Sequence, residues 1–179
     1  MTYRLIRSKR KTLALEIGDD GLIVRAPQRA TRAQIEEFLQ KHSGWIEKHL
    51  ARLEARPAAQ KLTEEELRAL AEEARRVFPA RCAHFAPIIG VTYGRITIRC
   101  QRTKWGSCSG KGNLNFNCLL MLAPPEVLDS VVVHELCHRK YLNHSRAFYD
   151  EVLRAFPAYR EWHKWLRENG GELMRRIPG

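Results

Sequence analysis

Residues 131–138, Val-Val-Val-His-Glu-Leu-Cys-His, constrain this chain more than any other stretch. They continue an apolar helical pattern: Val127 and Val131 precede His134 and His138 on one stripe, while Leu128, Val132, Val133, Leu136 and Cys137 occupy the other faces. A helix that is apolar nearly all round is stable only when it is covered on every side, so the remaining elements must wrap it. Two histidines and a carboxylate carried into such a core need polar partners or a metal ion.

Residues four apart on a helix lie about 40° apart around its axis, so His134 and His138 project from one face on successive turns and can share one metal ion through their imidazole nitrogens. Glu135, one step round from His134, reaches a water at that ion without being a ligand, which is where a general base for hydrolysis belongs. His144 follows six residues after His138. On a continuous helix it would face the far side, so the helix has to stop between the two for His144 to return as a third ligand. Asn143 is the expected stop, because asparagine tolerates the left-handed conformation that ends helices. One zinc ion with three protein ligands and an open fourth position is catalytic geometry, since water there ionises near neutral pH and attacks a polarised carbonyl.

Elements of both kinds are available to cover this helix. Tyr3–Ile6 and residues 12–17 and 22–27 read as short strands, the last two forming a hairpin across the turn signal Gly18-Asp19-Asp20-Gly21. Thr31 is a candidate N-cap for a helical pattern through Ile35, Phe38, Leu39, Trp45, Ile46, Leu50 and Leu53, broken at Ser43-Gly44. Thr63-Glu64-Glu65-Glu66 has the form of a capping box, opening a helix that runs toward Arg81. Residues 95–101 and 113–122 alternate as strands, the second with Leu114, Phe116, Cys118, Leu120 and Leu122 on one face, and the glycines and serines of 102–113 suit a loop. Pro124 and Pro125 suit the start of the histidine-bearing helix, and residues 145–156 and 158–170 read as amphipathic helices. The expected fold is α+β: a small basic ββα unit over 1–56, ending near Pro57, then a domain over 57–170 with a small mixed or antiparallel sheet packed on the active-site helix, then a loose tail over 171–179.

Thirty-one Lys and Arg against twenty Asp and Glu give a formal net charge of +11, and residues 94–123 carry five basic side chains and no acidic ones. Such a surface attracts nucleic acid, an anionic membrane or an acidic polypeptide, and solubility alone would also account for it. No stretch approaches the roughly 18–20 apolar residues of a membrane span, so a cytoplasmic protein without a membrane partner is expected. The cysteines, Cys82, Cys100, Cys108, Cys118 and Cys137, are odd in number and form no C-x-x-C pair. They read as reduced small hydrophobes rather than a disulfide framework or a zinc knuckle.

Trp-Gly-Ser-Cys at 105–108, the asparagine-bearing strand at 112–117, the helix at 131–138, Asn143-His144-Ser145 with Phe148 after it, and residues 156–166 together resemble the YgjP-like zinc metallopeptidase family, relatives of the SprT-like proteases and the broader zincins. The resemblance covers essentially the whole chain and is clearest from about residue 94 to 168. It implies a metalloprotease acting on polypeptides, with His134, His138 and His144 as ligands of one zinc ion and Glu135 as the catalytic base. The histidine spacing also equals that of metzincins, but the glycine those proteins carry at the turn is Tyr141 here, and Met174 is too weakly placed for a Met-turn. The resemblance further implies that the strand before the active-site helix forms the upper edge of the cleft, where an extended peptide adds through main-chain hydrogen bonds. Asn115 and Asn117 on one face of that strand, and Trp105 as a wall of the cleft, are candidate substrate-binding residues. Solvent-facing asparagines and a core tryptophan are the structural alternatives. Cys108 has no second catalytic partner and is expected to pack, and the group that stabilises transition-state charge is open among Tyr141, Tyr149, Tyr159 and His163.

SprT-like relatives include proteases that digest DNA-attached protein, so DNA or DNA-bound protein is a further expected partner, recruited through the basic stretches Arg4–Lys11 and Arg95–Lys111. The rival is a nucleic-acid-binding module whose metal site is structural or absent. A structural site is closed by a fourth ligand, which nothing near His144 offers, and Glu135 would have no task.

Overall fold

The computed structural model describes residues 2–18, 21–55 and 59–178, and the chain divides into two compact units, Met1–Ala58 and Ala59–Gly179. Asp19 and Asp20 of the expected hairpin turn, and the boundary expected near Pro57, lie outside the described residues.

In the first unit β1 (Arg4–Ser8), β2 (Ala14–Gly18) and β3 (Gly21–Pro27) form a sheet in the order β1-β3-β2. β3 pairs antiparallel with β2 and parallel with β1, so that Leu15 and Leu5 both lie opposite Val24. Alternate residues of β3, Leu22, Val24 and Ala26, are buried. They share a core with Ile35 of α1 (Arg32–Lys41) and Ile46 of α2 (Ser43–Glu54). Thr31 caps α1 as expected: its hydroxyl accepts from Gln34 N–H, and the Gln34 side chain accepts from Thr31 N–H. The break between the helices falls at His42, just ahead of the expected Ser43-Gly44, where φ −112° and ψ 15° leave the helical region.

The second unit opens with α3 (Glu64–Ile89), capped by Thr63 and Glu66 as the capping box requires. This helix passes the expected end at Arg81 and takes Pro79 and Pro87 into its interior. An interior proline forfeits a hydrogen bond and costs about 3 kcal/mol. The opposing term is the stripe Ala74, Phe78, Cys82, Phe85, Ala86 and Ile89, every member buried. Each Phe or Ile among them contributes about 1.5–3 kcal/mol on burial, which together is of the same size as the proline defects and offsets them. Gly90, at φ +76°, then ends it in the left-handed region open to glycine.

Strands β4 (Ile96–Arg99), β5 (Gly106–Cys108) and β6 (Leu114–Asn117) form a second sheet in the order β4-β6-β5, with β4 parallel and β5 antiparallel to β6. Two expectations are corrected here. The segment expected as a loop contains β5, whose Gly-Ser-Cys has little strand preference of its own and is held by pairing with Leu114–Phe116. The strand expected to reach Leu122 stops at Asn117, whose side-chain oxygen accepts from Leu119 N–H at 3.2 Å and turns the chain into a 3-10 helix, Cys118–Leu122. Leu119 and Leu120 are both buried as a result, which a strand with one covered face would not achieve.

α4 (Pro125–Cys137) runs through the core of this unit. Phe78 of α3 stacks on Phe116 of β6 with centroids 4.4 Å apart, and Arg81 forks onto Asp129 of α4 through two bonds of 2.6 Å. α5 (Arg146–Ala155) and α6 (Tyr159–Arg175) complete the chain. The loose tail expected from 171 onward is also corrected, because α6 continues through Gly170 and Gly171 to Arg175. Gly170 is buried against Trp105, where a Cβ would lie 2.8 Å from Cζ2, and Ile177 is buried with Leu62 and Leu119. Apolar contact thus orders a segment whose composition alone suggested a free end. The architecture is α+β, with two three-stranded sheets and six α-helices among the described residues. No helix among them is long and apolar enough to cross a membrane.

Candidate metal centre

Proline at the start of α4 sacrifices only an N–H that would lack a helical partner anyway, and every residue from Val127 to Cys137 except His134 is buried. The helix ends at Cys137 with His138 as its C-cap. Its stop therefore precedes the expected Asn143, and that residue is no left-handed terminator, since no non-glycine residue among those described takes a positive φ. Instead the N–H groups of Arg139, Lys140 and Tyr141 fold back onto the carbonyls of Leu136 and Cys137 in tight turns. Ser145, capping Phe148 N–H through its hydroxyl, starts α5 directly after His144. The third histidine is thus fixed between a turn and a helix cap.

His134 Nε2 lies 3.2 Å from His138 Nε2 and 3.0 Å from His144 Nε2, and the three donor atoms all fall within 4.8 Å of one another. Phe148, fully buried, touches all three rings, with centroid separations of 4.9, 4.7 and 5.0 Å. Two of the outward nitrogens are engaged: His138 Nδ1 donates to the Tyr141 carbonyl at 3.0 Å, and His134 Nδ1 lies 2.8 Å from the Tyr159 hydroxyl. A carbonyl only accepts, so His138 carries its proton on Nδ1 and turns a bare Nε2 lone pair toward the other rings. Ring nitrogens converging on one point in this way offer a cation a ready-made set of ligands. Tetrahedral zinc bound by imidazoles at about 2.0–2.1 Å sets its ligand atoms about 3.3 Å apart, so this donor set fits a zinc ion. Burial first, then the neighbouring His138, His144 and His163, push the His134 pKa down to about 3, keeping it in the neutral form that binds metal.

Glu135 is 6% exposed, and its carboxylate accepts from the Cys108 N–H of β5. Burial pushes its pKa up to about 7, against the opposing pull of the Lys104 charge and of that backbone hydrogen bond. Gly106 makes the room, because a Cβ there would lie 2.7 Å from Glu135 Oε1 and 2.8 Å from Cγ. Two cavities meet at His134 and Glu135. The larger, about 340 Å³, is also lined by Lys104, Ser107, Cys108, His138 and His144. The smaller, about 200 Å³, is also lined by Trp105, Val131, His163 and Leu166.

The residues singled out for substrate separate. Trp105 walls the smaller cavity and packs on the core as well. Asn117 is corrected: at 1% exposure, its Nδ2 donates to the carbonyls of Gln101 at 2.7 Å and Lys104 at 3.0 Å, and its Oδ1 holds Leu119 N–H. No polar group remains for a substrate, and the side chain braces the loop that carries Lys104 and Trp105. Asn115 donates to Ser107 Oγ at 3.2 Å across the β5–β6 pair, and lines neither cavity. The strand before the active-site helix, β6, is paired on both sides, so the free edge beside the cleft is β5. Burial and the Glu135 charge raise the Cys108 pKa, leaving a thiol that packs rather than a nucleophile. Tyr141 and Tyr149 line neither cavity, whereas the Tyr159 hydroxyl bridges His134 Nδ1 and His163 Nδ1. Gly106 and Lys104 were missed. A glycine inside a strand marks close approach by another group, which was the available signal, while a lysine in a basic loop carries none.

The family model described as "YgjP-like, metallopeptidase domain" matches residues 11–70 and 60–169. Among solved structures, the metallopeptidase zymogen of Pyrococcus abyssi abylysin is similar at 22% identity and a TM-score of 0.47, the match covering 51% of this chain and 94% of that one. The metallopeptidase zymogen of Methanocaldococcus jannaschii jannalysin is similar at 21% identity and a TM-score of 0.46, covering 51% and 95%. No curated protein matches the sequence.

Proposed function

Because the chain belongs to the YgjP-like metallopeptidase family, and is a peptidase by that membership, we propose that His134, His138 and His144 hold one zinc ion and that Glu135 is the general base of peptide hydrolysis. The observation that carries this reading is the convergence of three Nε2 atoms beside a buried carboxylate at the junction of two cavities. Bound zinc supplies Lewis-acid polarisation of the peptide carbonyl and activation of water near neutral pH.

Glu135 takes the proton of the attacking water on its carboxylate, whose pKa of about 7 suits a base working near neutrality, and delivers it to the departing amine nitrogen. The Cys108 N–H and the missing Cβ of Gly106 hold that carboxylate in place. An extended peptide adds along the free edge of β5 through main-chain hydrogen bonds, with one side chain directed at the apolar wall of Trp105, Val131 and Leu166.

Zinc analysis after mild dialysis tests the ligand set. About one zinc per wild-type chain, reduced in His144→Ala, is the expected result. Glu135→Gln is expected to keep its zinc and lose hydrolysis of a peptide library. A wild-type protein that stays metal-free when zinc is offered would end the reading.

Recruitment to DNA-bound protein is the finer part of the proposal, supported by Arg75, Arg95 and Arg99 lining one groove along edge strand β4. Salt-sensitive binding of duplex DNA, lost when Arg95 and Arg99 are changed to Glu, is expected; no binding at low salt removes this part. Residence in the reducing cytoplasm belongs to the same proposal, in keeping with five free cysteines.

A further inference from the structure

Tyr159 and His163 stand one turn apart on α6, with their rings stacked at a centroid separation of 5.1 Å. The Tyr159 hydroxyl is 2.8 Å from His134 Nδ1 and 3.2 Å from His163 Nδ1, and the residue is 2% exposed. A phenol carries one proton, and the three groups share a chain of hydrogen bonds whose direction is set at one end. If Nε2 of His134 binds a metal, its ring proton is on Nδ1 and is donated to the Tyr159 oxygen. The hydroxyl hydrogen then goes to His163 Nδ1. A neutral His163 that accepts there has its own proton on Nε2.

The consequence is that His163, which lines a cavity together with His134 and Glu135, carries its N–H on Nε2. We propose that His163 Nε2–H is the hydrogen-bond donor to the carbonyl oxygen of the scissile peptide as it becomes an oxyanion, and that Tyr159 is the positioning residue that sets this tautomer. The inference rests on the metal-ligand reading given above. Of the groups first considered for this task, Tyr159 has already committed its proton, and Tyr141 and Tyr149 line neither cavity. Lys104 lines both cavities and is the one Lys or Arg that does so. Its ammonium swings on four rotatable bonds, whereas the His163 ring is held by a hydrogen bond and a stacked partner. Catalysis favours the donor that needs no reorganisation when charge develops.

The experiment begins with zinc-loaded full-length protein labelled with nitrogen-15 at histidine. Long-range proton–nitrogen spectra are expected to show His163 protonated at Nε2 and bare at Nδ1, and Tyr159→Phe is expected to release that preference while the fold is retained by circular dichroism. In kinetics, His163→Ala should keep full zinc content and lose roughly 10²–10³-fold in kcat with KM nearly unchanged. His163→Gln, whose amide nitrogen stands near the place of Nε2, should recover part of the loss. A His163 protonated at Nδ1 in the zinc-loaded protein overturns the proposal, as does a His163→Ala enzyme with wild-type kcat. Each of those outcomes leaves the zinc site intact. Failure of zinc to bind the wild type would instead overturn the ligand assignment, and this inference with it.

Discussion

The carboxylate of Glu135 and the missing side chain of Gly106 form one unit. A methyl group at residue 106 would sit 2.7 Å from Oε1, inside contact distance, and would turn the carboxylate out of the cleft. Gly106→Ala is therefore expected to bind zinc like the wild type and lose roughly a hundredfold in kcat, checked by metal analysis beside peptide hydrolysis. The same burial makes stability depend on pH. With its folded pKa raised to about 7 from an ordinary value near 4.3, Glu135 favours the fold while protonated, and that contribution is lost as pH rises from about 4 through 7. Metal-free Glu135→Gln should accordingly be more stable than metal-free wild type at pH 8, by on the order of 2–3 kcal/mol, with the gap closing toward pH 4. Melting curves across that range check it, and a constant gap would contradict it. The spacing of His134, Glu135 and His138 was legible because one helical turn decides it. Tyr159 was legible only as a candidate, since its bond to His134 spans 25 residues of chain.

Elements were read well where periodicity was local and poorly where burial overrode composition. The capping boxes at Thr31 and Thr63 involve residues three apart and were legible as such, or as a cap, from sequence. α3, expected to run toward Arg81, continues to Ile89 and takes Pro87 as well as Pro79 into its interior, because the buried stripe through Ile89 offsets them. The glycines and serines around β5 suit a loop, and the alternation of Leu114 and Phe116 carries on formally through Cys118, Leu120 and Leu122, so that local pattern hides one strand and lengthens the other. Asn117 is the pivot of that region. Replacing it with alanine strips the Gln101 and Lys104 carbonyls and the Leu119 N–H of their partner. Asn117→Ala is expected to lose about 2 kcal/mol or more of stability and to lower activity through the loosened loop at 101–104. Denaturant midpoints and peptide hydrolysis check the two effects separately, and an unchanged midpoint would contradict the bracing role.

At the scale of the molecule, every group assigned to the metal centre, together with the core that holds it, lies in the second unit. Residues 59–179 produced alone are expected to fold cooperatively and bind zinc with the affinity of the full chain, measured by thermal melting and zinc titration; a fragment that does neither would show that the site needs the first unit. The amino-acid sequence by itself determined the chemistry of the site: two histidines and a carboxylate on one buried helix, a third histidine past its end, and an α+β chain to enclose them. Those features are set by neighbours within a turn or two, where residue type and spacing are the whole of the physics. Only the tertiary structure decided how the chain turns at His138 to return His144, that β5 and not β6 is the free edge, that Asn117 is a brace, and that Tyr159 and His163 stand behind His134. These depend on distances between segments far apart in the chain, and such distances are set by how side chains pack together rather than by any local pattern.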